Sequence, residues 1–204
     1  MNLTVLGSTG RTGRLVVAEG LRRGHRITAF TRRPDALPAA PAPTRVVTGD
    51  GRDRAAVGAA VIGADAVIAV IGGTGRRGPH HTAAVAGVLA ACMSENGVRR
   101  LAITSAYPIV AVRPRLAMAL LRWLLADAYA DVARMERIVS AADLDWTIVR
   151  LNRLTDGPPR GRPRISRDLL DRPSPITRAD AAGVLLNTVE DGALGRTAIN
   201  IAGS

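Results

Sequence analysis

Short apolar runs alternate along the chain with longer segments whose apolar residues recur at helical spacing. Asn2 to Leu6 reads as a short strand, and Arg14 to Arg23 as a helix with Leu15, Val16 and Leu21 on its inner face; Gly24 supplies the stop. Further strands are predicted at Arg26 to Phe30, Arg45 to Thr48, Ala66 to Ile71, Leu101 to Thr104, Trp146 to Leu151 and Ala198 to Ile201. Helices are predicted through Ala55 to Ile62, over Thr82 to Glu95, and over Arg115 to Ala142 in two pieces, where Met135, Ile138 and Val139 form a core stripe. A last helix starts at Ile176 to Asp180 and runs to Val189, with Thr177 as its cap and Asp180 in its first turn. Ala66 to Ile71 is apolar throughout, as a strand covered on both faces must be. Strands alternating with helices predict an α/β fold, a doubly wound parallel sheet in three layers. The 204 residues suit one domain, 1–204, with a small substrate-side loop region at about 153–176.

Gly7-Ser8-Thr9-Gly10-Arg11-Thr12-Gly13 follows the first strand without a gap. A strand running into three glycines spaced three apart and opening a helix is a dinucleotide-binding turn. Gly7 permits the tight bend, Gly10 lets a diphosphate approach the main chain, and Gly13 lets the helix pack close to the sheet. The helix's unpaired N–H groups and positive dipole end face the phosphates.

The second strand speaks to cofactor choice. An NAD-binding turn usually carries an acid about twenty residues past the glycines, to accept hydrogen bonds from the adenosine 2′-hydroxyl. No acid stands at Ala29, Phe30, Thr31 or Arg32. Thr31, Arg32 and Arg33 instead suit a 2′-phosphate, so NADP(H) is preferred over NAD(H). At the end of the third strand, Asp50 suits the adenine amino group or caps the next helix; both jobs could be served at once. Gly72-Gly73-Thr74-Gly75 closes the fourth strand and admits the cofactor's ribose and diphosphate. The nearby His80 and His81 point in opposite directions if extended, and no carboxylate is spaced to complete a metal site.

In an open α/β sheet the ligand crevice lies beyond the carboxyl ends of the strands. That places Thr104 and Ser105 at the end of the fifth strand, and Leu151 and Asn152 at the end of the sixth, beside the cofactor. Ser105 is near the nicotinamide, where its hydroxyl could orient substrate or donate a hydrogen bond, and Tyr107 could line the same cavity. Between Arg153 and Arg172 the following loop carries six arginines, against Asp156, Asp168 and Asp171. A basic lid there favours an anionic acceptor; solvated loop charge is the plainer alternative.

Composition narrows the partners. The net charge is +11, yet all 28 basic residues are arginine, spread along the whole chain, and only five residues are aromatic. A background substitution bias accounts for that pattern better than a nucleic-acid face, which wants clustered charge and a recognised module. The single cysteine, Cys92, allows no intrachain disulfide and reads as a small buried side chain. With a strand from Asn2 and no run long enough for a bilayer, the expectation is a cytoplasmic protein, monomer or homodimer, without a targeting segment, membrane or nucleic-acid partner.

The assembled motifs resemble an atypical short-chain dehydrogenase/reductase, in the NAD(P)H-binding group that includes biliverdin reductase B (flavin reductase) and NmrA-like proteins. The resemblance spans nearly the whole chain. It rests on Gly7 to Gly13, Thr-Arg-Arg-Pro at Thr31 to Pro34, Gly49-Asp50, Thr-Ser-Ala at Thr104 to Ala106 and Ala-Arg-Met-Glu at Ala133 to Glu136. Asp-Trp-Thr-Ile-Val-Arg at Asp145 to Arg150, Leu-Thr-Asp-Gly-Pro at Leu154 to Pro158 and Ile-Thr-Arg-Ala-Asp-Ala-Ala at Ile176 to Ala182 complete it. It implies strand order 3-2-1-4-5-6-7. Gly7, Thr9, Gly10, Arg11 and Thr12 would hold the diphosphate, Arg32 and Arg33 the 2′-phosphate, Asp50 the adenine, and Ile71, Gly72 and Gly73 the adenosine ribose. Ser105 would match the active-site serine. Two departures stand out. Typical members use Tyr-x-x-x-Lys as acid and base, but this chain has no lysine, and Ala133 stands four residues beyond Tyr129. Asn152 occupies a position where many relatives have proline. Members without the pair pass hydride from NADPH to a bound flavin or tetrapyrrole, and the NmrA-like members imply a non-catalytic NADP(H) sensor as the alternative.

Overall fold

The computed structural model describes residues 1–72, 80–111, 120–121, 123–192 and 194–204. Its centre is an eight-stranded sheet. The strands are β1 (Asn2–Leu6), β2 (Arg26–Thr31), β3 (Arg45–Thr48), β4 (Ala66–Ala69), β5 (Arg100–Ala106) and β6 (Asp145–Leu151), joined by β8 (Arg164–Ser166) and β10 (Thr197–Ala202). Their order is β3-β2-β1-β4-β5-β6-β10-β8, and every pair is parallel except β8 on β10. The expected order therefore holds through β10, the seventh strand of the sequence reading, and β8 adds an antiparallel edge from the 153–176 segment. In the same region, β7 (Leu154–Thr155) and β9 (Ile176–Thr177) form a small parallel pair.

The described helices are α1 (Arg11–Arg22), α2 (Arg54–Val61), α3 (Thr82–Glu95), α4 (Ala126–Ala141) and α5 (Arg178–Glu190). They cover both sheet faces, each with its own core. Val57, Val61, Leu89, Met93, Met135 and Val139 of α2, α3 and α4 bury one face with Leu101, Ile103 and Ile148. Val16, Val17, Val184, Leu185 and Val189 of α1 and α5 bury the other with Leu3, Val5 and Ile68. The predicted core residue Ile138 packs on the first cluster only partly buried.

Several local expectations need adjusting. Helix α1 begins at Arg11, inside the glycine turn, which rotates the inner face: Val16 and Val17 are buried, whereas Leu15 is exposed. The helix closes as a Schellman motif, with the amide of Gly24 donating to Leu21 and that of His25 to Gly20. Asp53, not Asp50, caps α2, accepting from the amides of Ala55 and Ala56. The piece of helix expected before Ala126 falls largely on 112–119 and 122, outside the described residues. Cys92 is buried, and desolvation pushes its thiol pKa up.

Candidate functional site

Strand order reverses between β1 and β4, and a cleft of about 340 Å³ opens there, past the carboxyl ends of the strands. Gly7, Thr9 and Gly10 form its base, Ile71 and Gly72 also line it, and Thr31, Arg32, Arg33, Gly49, Asp50 and Arg52 line one end together with His81.

The base is built by close backbone approach. Gly7 has φ +75°, and a Cβ there would stand 2.2 Å from the carbonyl oxygen of Val70. A Cβ on Gly13 would stand 2.1 Å from the carbonyl oxygen of Gly7. The turn is thus closed against β4 on one side and against its own helix on the other. The amide of Gly10 donates to the Gly7 carbonyl at 2.9 Å. Helix α1 follows Gly10, which offers no side-chain cap, and carries no acid in its first turn, which leaves its positive end to an external anion. Thr9 and Thr12 are buried, whereas Arg11 is exposed beside them.

Hydrogen bonds lock this turn to the end of β2. Ser8 Oγ donates to the Phe30 carbonyl at 3.0 Å, Thr9 and Thr31 share a hydroxyl contact of 2.8 Å, and Thr31 Oγ1 accepts from the amide of Arg33 at 3.0 Å. Thr31 is therefore buried in the frame, and Arg32 and Arg33 are the exposed cations of the cleft mouth. Asp50 is engaged by Arg52, whose Nε and Nη2 donate to it at 2.9 and 3.2 Å and whose amide donates at 2.9 Å. These bonds, with the field of Arg32, hold the Asp50 pKa down at about 2. Arg52 Nη1 also lies 3.4 Å from His81 Nε2, so three guanidinium groups and an imidazole gather at one end of the cleft.

The predicted residues on β5 and β6 stand at the carboxyl ends of those strands, outside the lining of this cleft. Thr104 Oγ1 donates to the carbonyl of Ile71 at 3.2 Å and so braces the end of β4. Ser105 and Arg150 are register partners across β5 and β6, and Glu136 of α4 meets both. Ser105 Oγ donates to Glu136 Oε1 at 2.5 Å, while Arg150 donates from Nε at 2.9 Å and from Nη2 at 2.6 Å. Tyr107 is buried; its hydroxyl donates to the carbonyl of Leu170 and accepts from the amide of the same residue, both at 3.2 Å. Leu151 ends β6 partly buried, and Asn152 Nδ2 donates to the carbonyls of Pro173 and Ser174 at 2.9 and 2.8 Å. Asn152 and Tyr107 thus pin the 153–176 segment. Gly73 lies outside the described residues.

Two further residues, singled out in sequence only as loop charge and as first-turn acid, organise this region. Asp156 accepts from Arg178 Nη1 at 2.7 Å and stands 3.5 Å from Arg11 Nη1, tying the loop to the glycine turn. Asp180 accepts from the amides of Arg160 and Gly161 and from the Thr177 hydroxyl. Burial alone would raise the Asp180 pKa, but these bonds outweigh it and lower it. Glu136 was legible only as part of a motif, because its partners lie 31 and 14 residues away in sequence. Among the described residues no group of His, Cys, Asp and Glu side chains is placed to hold a metal, and no helix is long and apolar enough to cross a membrane.

Solved structures share this architecture over nearly their whole length. A short-chain dehydrogenase/reductase from Veillonella parvula is 16% identical with a TM-score of 0.86, over 99% of this chain and 94% of that one. A wide-type short-chain dehydrogenase/reductase from the same organism, solved in complex with NADP, is 17% identical with a TM-score of 0.83, over 100% and 94%. ChuY, an anaerobilin reductase from Escherichia coli O157:H7, is 19% identical with a TM-score of 0.79, over 99% and 97%. At these identities the likeness carries the fold. The sequence profile of the NAD(P)H-binding family matches residues 7–192, from the glycine turn to the end of the last helix. The chain belongs to the NAD(P)H-binding family.

Proposed function

We propose that the protein is an NADPH-dependent reductase that delivers hydride to a planar, anionic acceptor of the flavin, quinone or tetrapyrrole class. The observation that carries this reading is the polarity of the cleft mouth. Where an NAD site would place an acid, the end of β2 offers Arg32 and Arg33, with Arg52 in the same cleft. The glycine cradle and the uncapped start of α1 fit a diphosphate. When bound, the nicotinamide supplies the hydride, and one proton from water completes a two-electron reduction.

The chain's own part is binding, orientation and the exclusion of water rather than proton transfer. It has no lysine for a Tyr-Lys pair, and the hydroxyls of Ser105 and Tyr107 are both engaged within the protein. The names of two neighbours, an NADP complex and an anaerobilin reductase, agree with the reading. The engaged hydroxyls also favour a second reading, a dinucleotide sensor without turnover.

NADPH oxidation with FMN, riboflavin, a quinone and a linear tetrapyrrole separates the two. Turnover with any of them supports the reductase, whereas tight nucleotide binding with no turnover across the panel selects the sensor. Replacing Arg32 and Arg33 by alanine is expected to weaken NADPH at least tenfold and NADH little; equal losses would refute the cofactor preference.

A further inference from the structure

We infer that Ser105 meets its ligand only as a hydrogen-bond acceptor, so that the site selects a ligand presenting an N–H there. The inference deepens the reductase reading and rests on it. A serine hydroxyl has one hydrogen and two lone pairs. Here the hydrogen is committed: Ser105 Oγ donates to Glu136 Oε1 at 2.5 Å, a length typical of a hydroxyl bonded to a carboxylate.

The direction of that bond is fixed from behind. Arg150 donates to both oxygens of Glu136 through its guanidinium fork, and a carboxylate held this way turns acceptor lone pairs toward Ser105. Both side chains are largely buried, with 12% of Glu136 and 19% of Arg150 exposed, so water competes weakly for either. The sheet adds rigidity, because Ser105 and Arg150 sit opposite each other in the β5–β6 register and Glu136 bridges them from α4. Turning the hydroxyl outward would leave Glu136 Oε1 with Arg150 alone, a loss the ligand would have to offset. Glu136 and Arg150 are thus positioning residues, and they invert the usual expectation that an active-site serine donates to a carbonyl.

Ser105 lies at the carboxyl end of β5, where a parallel sheet of this kind presents ligands. Two N–H sources could reach it: the carboxamide of the nicotinamide, and the imide, lactam or pyrrole N–H of the acceptor. Within the acceptor classes proposed above, flavins and tetrapyrroles carry such a donor. Simple quinones present only carbonyl oxygens and gain nothing from Ser105.

The test is binding, read without turnover, for the wild type and Ser105→Ala. Calorimetry compares NADP⁺ with its 3-acetylpyridine analogue, in which a methyl group replaces the amide NH₂. Fluorescence quenching in saturating NADP⁺ compares FMN with N3-methyl-FMN, which lacks the imide N–H. In whichever arm supplies the N–H, Ser105→Ala is expected to weaken the parent ligand about tenfold and leave the analogue unchanged. Equal effects on parent and analogue in both arms would overturn the inference, as would a gain for the analogue with the parent unchanged, which marks simple crowding. Failure of the wild type to bind NADP⁺ would overturn the cofactor reading itself and this inference with it. Binding of NADP⁺ without turnover of any acceptor removes only the reductase claim, and the acetylpyridine comparison still decides the role of Ser105.

Discussion

Residues whose role is set by backbone contact are the ones the sequence exposes most directly. Gly7, Gly10 and Gly13 are legible from spacing alone because each acts within its own turn. Gly13→Ala is expected to lower the melting temperature and abolish nucleotide binding, since the Gly7 carbonyl at 2.1 Å cannot yield as a flexible side chain would. Gly87→Ala is the contrast: the position is inside α3 with no neighbour within 4 Å of a new Cβ, so about 0.5–1 kcal/mol of stabilisation should follow. Differential scanning calorimetry of the two variants checks both signs. Ser105 was legible as a strand-end hydroxyl, but the sense of its hydrogen bond was not. That depends on Glu136 and Arg150, which only strand register and helix packing bring together.

Elements were legible where apolar runs are strong and illegible where another element supplies the reason to form. Strand β4 and helix α3 follow from their own composition. By contrast β8 is three residues among arginines, and it exists because β10 offers a free edge for antiparallel pairing. The inner face of α1 was misphased at Leu15 because the helix starts within the glycine turn. Helices α1 and α5 are further joined by charge. Arg23, just past α1, donates to Glu19 and Glu190, and His25 Nε2 lies 2.6 Å from Glu190. Bonds from Arg22 and Arg23 outweigh burial and hold the Glu19 pKa at about 2, against an ordinary 4.5. A carboxylate with a lowered folded-state pKa stabilises fully above its unfolded value and loses that contribution as pH falls through the folded one. The melting temperature should therefore hold steady down to about pH 4.5 and fall toward pH 2, and Glu19→Gln should shallow that fall.

For the whole molecule, alternation of strands and helices was enough to give the layers, and the run of parallel neighbours to β10 follows from crossovers that each return the chain to the same end of the sheet. Composition said less about the surface than its net charge suggests. What matters is where the guanidinium groups gather: Arg32, Arg33 and Arg52 share one cleft end, although Arg52 lies between β3 and α2 and the other two lie between β2 and β3. Raising the salt from 50 to 500 mM should accordingly weaken NADPH more than NADH, because the 2′-phosphate adds charge at that end. Isothermal titration at the two ionic strengths measures it, and parallel losses would place the extra phosphate elsewhere.

Asp156 divides one carboxylate between Arg178, beneath the substrate-side loop, and Arg11, at the head of α1. A dinucleotide arriving at the glycine turn brings a rival anion for Arg11 while Arg178 keeps its hold, so loading the first ligand loosens one tether of the loop that would receive the second. On the proposed reductase reading, such competition for a single cation predicts a sequence of arrival in which nucleotide leads and acceptor follows. Product-inhibition patterns should show that order in the wild type and random addition in Asp156→Asn.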